Sequence, residues 1–156
     1  VTIFDVPDKH NDEPGKYEEI DPALISANIK AGIMRGDRLH RWLARVVHQN
    51  ALPQAGELND EEYETAVRFV QRSDVSPIMF RPGNLYIEQQ ISDRESFGIV
   101  DRMVVSENLI TIIDYKSGSM RGFRQKYEEQ LERYKKIMKT LYPLTKIEYF
   151  ILLIDT

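Results

Sequence analysis

A layered α/β fold around a mixed sheet of about four strands is predicted for this chain on three observations. Helical periodicity governs its first third, three β-branched and aromatic segments separated by short polar turns follow, and one long helix then leads into a last apolar run. A helix that joins strands of one sheet has to lie on a face of it, so helices on both faces give three layers, α/β/α. At 156 residues and 42% hydrophobic composition the chain is large enough for one core of that kind.

In chain order, residues 1–21 hold seven acidic side chains beside Pro7, Pro14 and Gly15, the composition of a solvated arm or linker, and 22–156 is the expected globular domain. From Pro22 the positions Ile29, Ile33, Gly36, Leu39, Leu43, Val46 and Val47 mark one stripe of a long helix that ends before Pro53. Asp60 is the expected N-cap of a second helix carrying Tyr63, Val67, Phe69 and Val70, and Ser73–Pro77 breaks it. Strands are expected at Asn84–Ile91, Phe97–Val105 and Leu109–Lys116, a helix at Phe123–Leu141, and a strand buried on both faces at Ile147–Ile154.

Composition excludes several chemistries. There is no cysteine, hence no disulfide framework, thiolate zinc site, iron–sulfur cluster or cysteine nucleophile. No apolar run approaches the roughly 20 residues that cross a bilayer, so no membrane association is expected, and a cysteine-free chain fits a reducing cytoplasm. GxxxxGK[ST], HExxH and GxSxG are all absent. The net charge is −4, yet residues 116–139 carry eight bases against three acids, and residues 30–48 five bases against one acid. Two basic helices suit a groove for a phosphate backbone, and equally suit solvated faces laced with Glu129–Arg133 and Glu132–Lys136 pairs.

The segment Gly98–Gly118 carries the chemistry. With Glu107 and Asn108 as a two-residue hairpin turn, Ser106 pairs with Leu109, and counting outward brings Asp101 opposite Asp114 on one face. Alternation puts Lys116 on that face and Tyr115 on the other. Opposed carboxylates repel, and a hard divalent cation between them relieves the repulsion. An Asp–Lys–Asp ion network without metal is the alternative. On the following helix Phe123, Tyr127, Gln130, Tyr134, Ile137 and Leu141 form one stripe, so Gln130 is an amide on an apolar face, placed either to meet a substrate or as a satisfied core residue. His40 flanks the stripe of the first helix, a position open to a core or boundary role.

GIVDR, IIDYKSG thirteen residues on, and QLERY together resemble the RecB-type nuclease family of the PD-(D/E)xK superfamily, over roughly residues 30–154. The resemblance implies a restriction-endonuclease-like fold and a Mg²⁺- or Mn²⁺-dependent deoxyribonuclease, an exonuclease in its parent protein. It assigns catalysis to Asp101, Asp114, Lys116, Gln130 and Tyr134, and metal contacts to His40, Asp101, Asp114 and Tyr115. It also implies Glu88 as a supporting acid, and Arg121, Arg124 and Lys126 of the basic helix are expected to face the DNA backbone. Lacking cysteine, the chain resembles the branch without an iron–sulfur cluster. Such domains are fused to UvrD/Rep-type helicases in recombination and repair, so the chain, which opens on Val1, is expected to be the C-terminal part of a longer bacterial-type protein. Single-stranded DNA, a helicase domain in the same chain and a partner subunit are its expected partners. A catalytically silent module that binds DNA or a partner subunit is the alternative reading.

Overall fold

The computed structural model describes residues 22–118 and 124–155, with side chains from residue 26 onward. The acidic arm expected at 1–21, Arg121 and Phe123 lie outside the described residues. The elements run α1 (Pro22–Leu43), α2 (Asp60–Gln71), α3 (Ser76–Met79), β1 (Asn84–Ser92), β2 (Phe97–Val105), β3 (Leu109–Lys116), α4 (Arg124–Leu141) and β4 (Lys146–Leu153). The four strands form one mixed sheet in the order β1-β2-β3-β4, antiparallel except for the parallel β3–β4 pair that the α4 crossover creates.

Two cores sandwich this sheet. Leu39, Trp42, Leu43 and Val46 join Phe69, Val70 and Met79 over one face, where Ile113, Tyr115, Phe150 and Leu152 meet them. On the other face Leu131, Tyr134, Ile137 and Met138 of α4 cover Val100, Met103, Ile110, Ile112 and Tyr149. Burying each such aliphatic or aromatic side chain contributes about 1.5–3 kcal/mol, so the three layers are held chiefly by this double packing. Although β4 is an edge strand, its consecutive Tyr149 and Phe150 enter opposite cores, which accounts for its near-continuous apolar sequence.

Three expectations need correction. The α1 stripe is shorter than expected and only half of it is core: the helix ends at Leu43, before Val46 and Val47, and within it Leu39 and Leu43 are buried while Ile29 and Ile33 are 58% and 61% exposed. The N-cap of α2 is Asn59, not Asp60. The Asn59 side chain accepts from Glu62 N–H and the Glu62 carboxylate accepts from Asn59 N–H, a reciprocal capping box that Asp60 cannot build from one residue further on. The arginines of α1 are not free for phosphate. Arg35 pairs with Asp155, Arg38 with Glu62 and Arg41 with Glu57. No helix among the described residues is long and apolar enough to cross a membrane.

Candidate active site

The two-residue turn forms as its sequence requires, with Ser106 N–H donating to the Leu109 carbonyl at 2.9 Å. It sets the β2–β3 register, which runs from Val105–Ile110 to Arg102–Ile113 and stops one step short of Asp101 and Asp114. Beyond that point β3 pairs only with β4, and β2 only with β1. The alternation of β2 is reset at the same place. Val100 packs in the α4-side core, whereas Arg102, two residues on, reaches the Val46 and Met79 carbonyls on the opposite face. In a regular strand residues two apart share a face, so Asp101 marks a local break. Across from it in β1, between the Ile87–Arg102 and Gln89–Val100 pairs, stands Glu88, whose φ of 50° is the left-handed conformation that non-glycine residues avoid. Backbone strain of this kind concentrates at functional positions.

The parting strands leave the peptide groups of Tyr115 without a ladder partner, and side chains of the site take them over. Asp101 Oδ2 accepts from Tyr115 N–H at 2.9 Å, and His40 Nε2 donates to the Tyr115 carbonyl at 2.8 Å. The Asp101 and Asp114 carboxyl groups stay close enough to interact directly, as the hairpin count expects, although their backbones are no longer ladder partners. The two acids still sense each other. Burial and the charge of Asp101 push the Asp114 carboxyl up to about 7, against the opposite pull of Lys116. Burial would raise Asp101 as well, but the hydrogen bond and charge of His40 and the Tyr115 N–H outweigh it and hold Asp101 low.

His40 has a carbonyl partner at each ring nitrogen, Gly36 at Nδ1 and Tyr115 at Nε2, both at 2.8 Å, and Asp101 Oδ2 lies 3.3 Å from Nε2. Two carbonyl partners require two N–H donors, hence the imidazolium. Burial disfavours that charge, yet Asp101 and the two carbonyls prevail and raise the imidazole to about 9. To ligate a cation, Nε2 first has to give up its proton.

Lys116, the last residue of β3, lies with Nζ 2.7 Å from Asp114 Oδ2 and donates to Gln130 Oε1 at 3.0 Å. Gln130 Nε2 donates to Tyr134 Oη at 2.9 Å, and Tyr134 donates to the Ile99 carbonyl at 2.7 Å. Burial and the charge of Asp114 push the Tyr134 hydroxyl up to about 12, so it keeps the proton it donates. Gly98 makes this chain of hydrogen bonds sterically possible. A Cβ there would lie 2.5 Å from Tyr134 Cε1. The glycine of GIVDR is thus the seat of the tyrosine of QLERY.

Asp114 is 6% exposed, and its Oδ2 has the ionic contact with Lys116 but no aligned hydrogen bond. Two carboxylates, one with an oxygen short of hydrogen bonds, and the adjoining Tyr115 carbonyl are hard donors that fit Mg²⁺ or Mn²⁺. Among the described residues no three His, Asp or Glu side chains are grouped as a ready-made cage for an ion. The Tyr115 ring is buried on the α1 side against Phe69, on the face opposite Lys116 as alternation requires, so Tyr115 reaches the site through its peptide N–H and carbonyl. Glu88 is exposed and, though opposite Asp101 in register, makes no hydrogen bond or ion pair with the acids among the described residues. Lys126 and Arg124 open α4, Arg124 in an ion pair with Glu128.

Arg102 and Asp155 also brace the site, although the sequence motifs do not single them out. Arg102 is 2% exposed, donates to Met79 and Val46 carbonyls at 3.1 and 2.7 Å, and lies over the Phe80 ring, tying the strand break to α3 and to the segment that follows α1. A charged residue inside the apolar run GIVDRMVV is its signal in the sequence. Asp155 accepts from Arg35 in bidentate fashion and from Gly118 N–H at 2.7 Å, fixing the exit of β3 to α1, and no local pattern announces it. Comparison with protein-family models and with curated proteins gives no match to this chain.

Proposed function

We propose that the chain is a metal-dependent deoxyribonuclease of the RecB type that hydrolyses phosphodiester bonds in single-stranded DNA. The observation that carries this reading is the convergence of Asp101, Asp114 and Lys116 where β2 and β3 part, with Lys116 held by Gln130 and Tyr134 from α4. Two neighbouring acids at a strand break, one of them raised to about 7, cost stability, and such perturbed acids cluster at functional sites.

Asp101, Asp114 and the Tyr115 carbonyl would hold Mg²⁺ or Mn²⁺, with His40 as a further ligand once deprotonated. The bound ion supplies charge at the phosphoryl oxygen and a more acidic water. Lys116 presents a fixed ammonium beside the acids, where it orients the attacking water or stabilises charge developing on the phosphoryl group. Glu88, across from Asp101 in β1 and exposed, would support the cation from the outer side. Lys126 guides the phosphate backbone toward the site, joined by Arg124 once it leaves Glu128, without reading bases. In the parent protein a helicase domain in the same chain, with a partner subunit, delivers the separated strand in a bacterial-type cytoplasm. The motor has to lie elsewhere, because this chain contains no GxxxxGK[ST] loop.

The test is digestion of a labelled single strand and a matched blunt duplex with Mg²⁺ or with EDTA. Cleavage of the single strand, dependent on Mg²⁺, independent of ATP and lost in Asp114→Asn with the fold intact, is expected. One specific observation favours the second reading: Lys116 and His40 already balance the two acids. Mg²⁺-independent DNA binding with no cleavage would assign the chain to a silent binding module.

A further inference from the structure

Lys116 is enclosed from three sides, and one wall has no part in the reading above. Asp114 Oδ2 lies 2.7 Å from Nζ, Gln130 Oε1 accepts at 3.0 Å, and the ring centroid of Tyr127 lies 4.5 Å from the same nitrogen. Tyr127, Gln130 and Tyr134 are spaced by three and four residues, so one face of α4 supplies the ring, the amide and the anchor of the amide.

We propose that Tyr127 is a positioning residue: its aromatic face, with the Gln130–Tyr134–Ile99 chain, forms a socket that fixes the direction of the Lys116 ammonium. The physical argument concerns freedom. A lysine head on four flexible carbons has many rotamers, and a salt contact to Asp114 that is out of hydrogen-bond alignment selects among them weakly. An electron-rich ring face attracts the cation without a directional donor, while the amide fixes one N–H direction. Gln130 itself cannot drift, because its amide nitrogen is tied to Tyr134, whose hydroxyl is tied to the backbone of β2. Gln130 and Tyr134 thus act on the reaction through Lys116 rather than by touching DNA.

The proposal rests on the nuclease reading for its kinetic test, and a spectroscopic test is independent of it. In single-stranded oligonucleotide cleavage with Mg²⁺, Tyr127→Leu should lower kcat about tenfold with KM nearly unchanged, since a misdirected catalytic group costs rate rather than binding. Tyr127→Phe keeps the ring and should stay within about twofold of wild type. In the intact chain the Lys116 Cε protons, assigned with Lys116→Arg, should be shifted upfield by the ring current in wild type and Tyr127→Phe, and should lose that shift in Tyr127→Leu. Unchanged kcat in Tyr127→Leu, or equal losses in the Phe and Leu variants, would overturn the proposal, the latter because the hydroxyl and not the ring is then at work. Absence of the upfield shift in wild type would overturn it too. Should the shift behave as expected while wild type cleaves no DNA, the socket stands and the nuclease reading fails.

Discussion

At the scale of single residues, the motif spacing is explained by contacts between residues far apart in the chain. GIVDR needs its glycine because the Tyr134 ring occupies the place of a Cβ at 2.5 Å from Cε1, and that ring is held by Gln130 and Ile99 and cannot swing aside freely. Gly98→Ala should therefore lose about 1–3 kcal/mol through overpacking, read as a fall in the unfolding midpoint, and should lose cleavage beyond what the fraction folded explains. Retention of wild-type stability would show that Tyr134 can move at little cost. The residues themselves were legible as GxxD, DxK and QxxxY, but the reason for the glycine was not, since it depends on the approach of a helix beginning 26 residues later. The same limit applies to Arg102 and Asp155, whose partners Val46, Met79, Arg35 and Gly118 are fixed only by tertiary packing. His40 could be placed on its helix from sequence, but its two carbonyl partners, which decide its protonation, could not.

Elements follow local signals where those signals are unshared. The turn at Glu107–Asn108 set the β2–β3 register correctly, because a two-residue loop leaves one pairing. It did not disclose that the ladder stops at Arg102–Ile113, since that break comes from the reset of β2 at Asp101 and the strained Glu88 opposite. The start of α2 was misread by one residue because Asn59, Asp60, Glu61 and Glu62 are all capable of capping or first-turn roles, and only the reciprocal Asn59–Glu62 pair distinguishes them. Asn59→Ala should lower stability by about 1 kcal/mol in urea unfolding, the usual worth of an N-cap. Glu62 links this cap to α1. It is 3% exposed, Arg38 donates to it at 2.7 and 3.1 Å, and these bonds hold its carboxyl below the usual glutamate range. A lowered folded-state value means the carboxylate stabilises at neutral pH and that this contribution is lost as pH falls below the ordinary glutamate value of 4.5. Glu62→Gln, which retains an oxygen for the Asn59 N–H, should be less stable than wild type at pH 7, with the difference shrinking toward pH 3. A difference constant across that range would mean that the Arg38 pair contributes nothing.

For the whole molecule, the distribution of charge decides how a polyanion can be held. The chain carries −4 overall, so its general field repels DNA and attraction has to be local. The basic run on α1 looked in sequence like half of a phosphate groove, but Arg35, Arg38 and Arg41 are each committed to a carboxylate from another part of the fold, Asp155, Glu62 and Glu57. Sequence counts charges along a helix and cannot tell which will be neutralised across the fold. On α4, Arg124, Lys135 and Lys136 have acidic partners, whereas Lys126, Arg133 and Lys139 have no ion pair among the described residues, and of these Lys126 lies in the first turn, nearest the end of the helix that leads in from β3. Few phosphates are then neutralised at once, and single-strand binding should have a shallow salt dependence, about −0.7 in log K against log salt for each contact. Lys126→Ala should weaken binding alike for unrelated sequences and flatten that slope by about 0.7, the release of one counterion. Arg41→Ala should leave the slope unchanged, because its guanidinium is already answered by Glu57 on the protein surface. Fluorescence anisotropy with a labelled oligonucleotide across a salt series, in Ca²⁺ to suppress turnover, reads both slopes. Flattening by Arg41→Ala equal to that of Lys126→Ala would show that the α1 pairs open on binding and that the strand runs along α1 as well as α4.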